Sequence, residues 1–333
     1  MANIAVLGSG GWGTAMAIMT AKHGHRVSLW SKFQSEIDTL SATRENPLLK
    51  GALIPKSIEL TSDIACTEGA DIIILAVPSV AVRSVCRELK GIYNGQTVVN
   101  IGKGLEESSL MRLSEVINEE LSNPKALAVM SGPSHAEEVA RGIPTANVVA
   151  SKSKRTARYV QNQLMNESFR LYTTKDIVGT ELGGALKNVI ALAAGTVDGL
   201  GLGDNTKAAL MTRGIAEIAR LGVKMGGDRE TFSGLAGIGD LIVTCTSMHS
   251  RNRRCGILIG KGVPASEAVA EIGMTVEGYK TASAAYRLAI KEKADMPIIT
   301  EIYRVLYENK SPKEAITDLM LREKKSEREE SWK

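Results

Sequence analysis

Lys187 lies in the stretch Gly183-Gly184-Ala185-Leu186-Lys187-Asn188, inside a long helical pattern. Its neighbours on one helix face, at i−4, i−3, i+4 and i+7, are Gly183, Gly184, Ala191 and Ala194, with the bulkier Ile190 at i+3. A glycine in a helix interior is about 1 kcal/mol less favourable than alanine, so an ordinary surface helix avoids two of them. Glycines beside a lysine leave room for a ligand or for another backbone. Desolvation lowers the pKa of a partly buried lysine, which suits proton transfer near neutrality. A lysine that snorkels to water is the bland alternative. Asp240 is the one acid in Gly237-Ile238-Gly239-Asp240-Leu241-Ile242-Val243-Thr244. A carboxylate in such apolar surroundings needs a partner, and Lys187 is the candidate. Ser250-Arg251-Asn252-Arg253-Arg254 gathers a hydroxyl, an amide and three guanidinium groups, which is either an anion clamp or a solvated charged face.

Near the start of the chain, Gly8-Ser9-Gly10-Gly11-Trp12-Gly13 fits G-x-G-x-x-G between a strand pattern and a helix pattern. In that context Gly8 permits a tight turn, Gly10 a close backbone approach to a pyrophosphate, and Gly13 tight packing of helix on strand. The helix N-terminus then offers unpaired N–H groups and partial positive charge to phosphates. The second strand ends in Leu29-Trp30-Ser31-Lys32, with no acid at the place that usually binds a ribose 2′-hydroxyl. Ser31 and Lys32 would instead suit a 2′-phosphate, which favours NADP(H) with NAD(H) tolerated. The other reading of Lys32 is a solvated surface lysine. Lys103, between Gly102 and Gly104, and the segment Ser131-Gly132-Pro133-Ser134-His135-Ala136 each follow a strand. The carboxyl ends of strands are where open α/β sheets bind ligands. Lys103 is therefore a substrate contact or a plain turn lysine, Ser134 a ligand donor or an N-cap, and His135 a structural histidine before a catalytic one.

These residues need a scaffold. Apolar runs without alternation at Asn3–Leu7, Arg26–Trp30, Asp71–Val77, Thr97–Ile101 and Ala126–Met130 predict strands buried on both faces. Helix patterns at Thr14–His23, Ala81–Leu89 and Leu110–Leu121 separate them, which predicts a mostly parallel, doubly wound α/β domain of the Rossmann type. From about Thr174 strand signals nearly vanish, and an all-α domain is expected. Helices are predicted over Lys175–Val197 (with Thr174 as N-cap), Asn205–Leu221, Ser266–Ile272, Tyr279–Lys293 and Ile298–Tyr307. A capping box at Ser311-Pro312-Lys313-Glu314 opens a last one. The division is expected as residues 1–178 and 179–333, with the charged tail 322–333 frayed.

Composition excludes several classes. The 333 residues carry 41 Lys and Arg against 37 Asp and Glu, a net charge of only +4 with both signs scattered, which argues against a nucleic-acid partner. Aromatics at 4% do not build stacking platforms for single strands. No run of eighteen apolar residues predicts a membrane span, and no secretory signal pattern is seen. Four dispersed cysteines (Cys66, Cys86, Cys245, Cys255) and four histidines without HExxH spacing predict neither disulfides nor a metal site, as in a reducing cytoplasm.

Taken together and in order, the blocks Gly8–Ala15, Ile101–Gly104, Ser131–Ala136, Leu186–Asn188, Gly239–Leu241, Ser250–Asn252 and Val276–Gly278 mean that the chain resembles the bacterial NAD(P)-dependent glycerol-3-phosphate dehydrogenase family over residues 3–320. The resemblance implies a Rossmann domain followed by a helical substrate domain, a homodimer, and reversible reduction of dihydroxyacetone phosphate to sn-glycerol 3-phosphate, which feeds glycerophospholipid synthesis. It implies Lys187 as the acid/base, with Asp240 orienting it. It implies substrate contacts at Lys103, Gly132, Ser134, Lys187, Asp240, Ser250, Arg251 and Asn252. Cofactor contacts are implied at Gly11, Trp12, Lys32, Lys103, Ala136, Arg251, Thr275 and Glu277, beside the motif glycines Gly8, Gly10 and Gly13. Family members often carry Ser at the Gly11 position and His or Arg at the Lys32 position. Two other readings share parts of this pattern: a β-hydroxyacid or ketopantoate-type dehydrogenase, which wants a carboxylate clamp, and a dinucleotide-sensing regulator without chemistry.

Overall fold

The computed structural model describes residues 1–324, 326 and 327. Its first part alternates β1 (Asn3–Leu7), α1 (Gly11–Lys22), β2 (Arg26–Trp30), α2 (Gln34–Thr43), β3 (Glu59–Thr61), β4 (Ile72–Leu75), α3 (Val82–Leu89), β5 (Thr97–Asn100), α4 (Leu113–Glu120), β6 (Leu127–Ser131), α5 (Ala136–Ala140), β7 (Thr145–Ala150), α6 (Lys154–Leu164) and β8 (Phe169–Thr174). The strands form one sheet in the order β3-β2-β1-β4-β5-β6-β7-β8. All pairings are parallel except β6 with β7. The strand order reverses between β1 and β4, and that switch point opens a crevice at the carboxyl ends of the strands.

The expected strands are found, because β4, β5 and β6 are buried along their whole length and need apolar, β-branched residues on both faces. The elements α2, β3, β7, α6 and β8 carried no recognised signal. β3 has only three residues at the sheet edge, and β8 alternates buried and exposed residues as a strand near the other edge does. The helix expected over Leu110–Leu121 begins later, at Leu113, because Leu110 takes a left-handed backbone conformation with φ 62°.

The second part is helical: α7 (Ile177–Gly199), α8 (Gly203–Lys224), α9 (Asp240–Thr246), α10 (Arg251–Gly260), α11 (Ala265–Ile272), α12 (Glu277–Lys291), α13 (Pro297–Tyr307) and α14 (Pro312–Met320). The change from sheet to helix falls between Thr174 and Ile177. Asp176 replaces Thr174 as the cap of α7: its carboxylate accepts from the Gly179 N–H at 2.8 Å, three residues on, whereas Thr174 still belongs to β8. At Ser311 the capping box is not made, since the hydroxyl accepts no cap bond and Pro312 at the first helical position sets the start of α14. The tail from Arg322 lies for the most part outside the described residues.

α7 runs through the centre of this part with all but a few of its residues buried. It is long and apolar enough to cross a bilayer, but 94% of its apolar window is enclosed by the rest of the fold, as in a core helix. It packs closest on α10, where small residues let the backbones meet. A Cβ on Gly195 would lie 2.0 Å from the Arg253 carbonyl oxygen, and one on Gly256 2.0 Å from that of Leu192. The two parts are tied at Glu181 of α7, whose carboxylate accepts from the Ser114 N–H at 2.7 Å, the Ser114 hydroxyl at 2.6 Å and Arg112 Nη1 at 2.7 Å.

Candidate active site

The glycine loop follows β1 as its pattern requires. Gly8 has φ 120°, and a Cβ there would collide with the backbone of Ala76 and Val77 beyond β4. A Cβ on Gly13 would lie 1.9 Å from the Gly8 carbonyl oxygen, so the helix seats against the turn only with glycine. At Gly10 a Cβ would meet nothing within 4 Å, which leaves the outer face of the loop open to a ligand's backbone approach. Asn46 braces the loop from below, donating to the Ser9 carbonyl at 2.7 Å and to the Thr14 hydroxyl at 2.6 Å. The buried indole N–H of Trp12 has no partner among the described residues. An open glycine cradle at a helix N-terminus beside an orphaned donor fits a dinucleotide.

At the end of β2 the two residues assigned to a 2′-phosphate are engaged elsewhere. Lys32 Nζ pairs with Glu88 Oε1 at 2.5 Å. Ser31 Oγ donates to Glu36 Oε2 at 2.5 Å, and Ser9 Oγ donates to the same oxygen at 2.6 Å. The sequence reading therefore missed an acid near this strand end, because Glu36 reaches back from the first turn of α2.

Lys103, Gly132, Lys187 and Asp240 come together where the sheet meets the helical part. Lys187 Nζ donates to Asp240 Oδ1 at 2.5 Å and to Thr244 Oγ1 at 2.6 Å. Lys103 Nζ, from the turn after β5, donates to Asp240 Oδ2 at 2.6 Å and to the Gly132 carbonyl at 2.9 Å. Asp240 is 1% exposed and Lys187 6%. Burial pushes the Lys187 ammonium down to about 8, Asp240 pulls it back up, and Lys103 adds to the lowering. Burial alone would raise the Asp240 carboxyl, but the two ammonium groups outweigh it and hold it below its usual value. The snorkelling alternative for Lys187 is thereby overturned.

The flanking glycines make room for neighbouring groups of the protein, backbone at Gly183 and a side chain at Gly184. A Cβ on Gly183 would lie 2.4 Å from the Ala236 carbonyl oxygen, and one on Gly184 2.5 Å from Ser131 Oγ. Thr244 was missed, though its place one turn after Asp240 on the same helix face was a usable signal.

Ser134 is not the cap of α5; its hydroxyl donates to the Gly132 carbonyl at 2.9 Å. His135 stands at that cap position without a side-chain cap bond, and burial lowers its pKa. Ala136 opens α5.

The basic cluster divides. Ser250 caps α10 by accepting from the Arg253 N–H at 3.2 Å, which leaves its own proton to donate. Asn252 is buried between Asn188, to which it donates at 3.0 Å, and the Gly278 N–H, from which it accepts at 2.8 Å. Arg253 is bound to Asp198 at 2.8 Å and to the Thr246 carbonyl. It is structural, so the clamp of three guanidinium groups shrinks. Arg251 faces Glu277: burial pushes the Glu277 carboxyl up, and Arg251 is the strongest group opposing it. Glu277 Oε2 in turn lies 3.8 Å from where a Cβ on Gly104 would stand. Thr275 is exposed just ahead of α12.

Comparison with known proteins gives the family and the fold. The family model for the NAD-dependent glycerol-3-phosphate dehydrogenase N-terminus matches residues 3–157, and that for the C-terminus matches residues 176–317. The chain is 55% identical to a glycerol-3-phosphate dehydrogenase [NAD(P)+] of Thermoanaerobacter sp., over 97% of this chain and 98% of that one. It is 52% identical to one of Fusobacterium nucleatum, over the full length of both. A crystal structure of glycerol-3-phosphate dehydrogenase from Coxiella burnetii superposes with a TM-score of 0.92 at 38% identity, covering 96% of this chain and 99% of that one. A ketopantoate reductase from Ralstonia eutropha shares the fold alone, at TM-score 0.61 and 13% identity, with 94% of this chain and 99% of that one covered. The chain belongs to the NAD-dependent glycerol-3-phosphate dehydrogenase family.

Proposed function

We propose that this protein reduces dihydroxyacetone phosphate reversibly to sn-glycerol 3-phosphate with NADP(H) or NAD(H). The observation that carries the reading is the buried Lys187, held by Asp240 at the carboxyl end of a sheet whose first turn is a dinucleotide cradle. A bound nicotinamide supplies hydride transfer. The chain's part is to hold the ketone and to manage one proton. Lys187, as ammonium, stabilises the alkoxide that develops on the C2 oxygen and protonates it; in the reverse direction the neutral amine takes that proton.

Lys103, Gly132 and Ser134 line the C2 side, and Arg251, with Ser250 and Asn252, faces the phosphate. Binding at that remote group positions C2. Gly8, Gly10, Gly11, Trp12 and Gly13 hold the pyrophosphate, and Lys103, Ala136, Arg251, Thr275 and Glu277 complete the nucleotide's surroundings, with Lys32 at its ribose end. The reading extends to a homodimer in the cytoplasm whose product enters glycerophospholipid synthesis, as the family resemblance implies. The test is an initial-rate comparison of NADPH and NADH oxidation with dihydroxyacetone phosphate, ketopantoate and 3-oxo acids. Turnover confined to the oxo acids, or none at all, overturns the reading.

A further inference from the structure

Glu36 sits in the first turn of α2, and its Oε2 is gripped by two hydroxyls, Ser9 Oγ at 2.6 Å and Ser31 Oγ at 2.5 Å. Ser9 occupies the variable position between the first two motif glycines, and Ser31 directly follows β2. Both serines are buried, at 8% and 3% exposure, so the carboxylate is anchored between the glycine loop and the second strand end. In a fold of this type that is where the adenosine ribose of a dinucleotide lies. Each serine has a single proton and gives it to Glu36, so neither can donate to a 2′-phosphate. The remaining oxygen of Glu36, Oε1, accepts no hydrogen bond among the described residues and is left to accept one from a ribose hydroxyl. The nearby cation, Lys32, is paired with Glu88 at 2.5 Å. The rim thus holds two carboxylates against one ammonium, a field that opposes a phosphate dianion.

We infer that Glu36 sets the choice of nucleotide: it accepts the ribose 2′-hydroxyl and repels a 2′-phosphate, so the protein prefers NADH to NADPH. This rests on the dinucleotide-dependent reading above and reverses the preference expected from Ser31 and Lys32.

The experiment is a fluorescence titration of the full chain with NADH and with NADPH. The wild type should bind NADH at least about tenfold more tightly, the scale of one screened like-charge contact. Glu36→Gln should bring the two within about threefold, mainly by tightening NADPH, because the repulsion is gone while the amide oxygen still accepts from the two serines and its NH2 can donate to the ribose or its phosphate. Should that variant not fold, the wild type alone decides. Raising the salt concentration must weaken the preference for NADH, because repulsion at an exposed rim is screened. A wild type that binds NADPH as tightly as NADH, a Glu36→Gln ratio equal to wild type, or a salt-independent ratio overturns the inference. If dihydroxyacetone phosphate is still turned over, only this inference falls; if neither nucleotide binds, the dinucleotide reading falls with it.

Discussion

Lys103 and Lys187 donate to opposite oxygens of one carboxylate, Asp240, at 2.6 and 2.5 Å. One lysine comes from the turn after β5 and the other from α7, so the ion cluster spans the sheet and the helical part. Two ammonium groups on one carboxylate leave a net positive charge in a place almost closed to water. A charge fixed there before the reaction stabilises a developing alkoxide without reorganisation at the moment of need.

The most direct consequence concerns Lys187 itself. Lys187→Ala should lower kcat for ketone reduction at least about a hundredfold, the usual loss for a positioned proton donor. The amine touches Asp240 and Thr244, not the glycine loop, so the Kd for the nucleotide should stay within about twofold, a change far below one lost charge-assisted bond. Paired measurements of kcat and of nucleotide binding check this. A variant that retains a large part of the wild-type rate places the proton donor elsewhere.

The pH dependence has a definite sign. Burial lowers the Lys187 ammonium to about 8, so it is protonated below that value and neutral above it. Reduction needs the proton, and its kcat should fall as pH rises through about 8. Oxidation of glycerol 3-phosphate needs the free amine, and its kcat should rise over the same interval. Rate profiles in both directions, at saturating substrate, check that the two limbs cross near the same pH.

Asp240 gives a stability prediction and a kinetic one together. Asp240→Ala strands the buried Lys187 ammonium, and the part-buried Lys103 beside it, without a counter-charge, which should cost about 3–5 kcal/mol of folding stability. Removing the carboxylate also removes the pull that holds the Lys187 ammonium up, so the pH limb for reduction should move below the wild-type position. Denaturant unfolding measures the first effect and the pH profile the second. A limb that does not move means that Asp240 does not govern the lysine's proton.

Much of this site was legible from residue types alone. Lys187 beside two glycines and Asp240 in an apolar stretch each break a local rule, and such violations gather where function overrides stability. The glycine loop was legible because its three roles are backbone roles, fixed by the lack of a side chain. What escaped was carried by tertiary pairing. Nothing in Ser31-Lys32 announces that Glu36 and Glu88 reach them from α2 and α3. Nothing in Arg253 says that Asp198 has taken it. The glycines at 183 and 184 admitted two explanations, and only the position of Ala236 and Ser131 chose between them. The edge strands β3 and β8 escaped for a related reason: a short or half-exposed strand lacks the long apolar run that marked the central ones.

Arg251 separates binding from chemistry. Of the guanidinium groups in its segment, Arg253 is committed to Asp198 and Thr246, whereas Arg251 forms no hydrogen bond or ion pair among the described residues and is felt electrostatically by the Glu277 carboxyl. Arg251→Ala should raise KM for dihydroxyacetone phosphate at least about tenfold, the loss expected of one charge-assisted contact to phosphate. Its effect on kcat should be smaller, because the group lies away from the reacting carbon. Unchanged kinetics would move the phosphate site to other residues.

The contact between α7 and α10 should tolerate no added carbon. A Cβ at Gly195 would stand 2.0 Å from the Arg253 carbonyl oxygen, and one at Gly256 2.0 Å from the Leu192 carbonyl oxygen; in both cases the obstacle is backbone, which cannot rotate aside. Alanine would raise intrinsic helix propensity by about 1 kcal/mol at each site, and taken alone that would stabilise the protein. Overpacking should win, with a net loss of about 1–3 kcal/mol for either substitution as the two helices are pushed apart. Because α7 also carries Lys187 and Asn188, and α10 carries Arg251 and Asn252, the same displacement should loosen the Asn188–Asn252 bond and raise the substrate KM. Thermal or denaturant unfolding of Gly195→Ala and Gly256→Ala decides the sign: a variant more stable than wild type would show that the helices have room to separate and that propensity governs the contact.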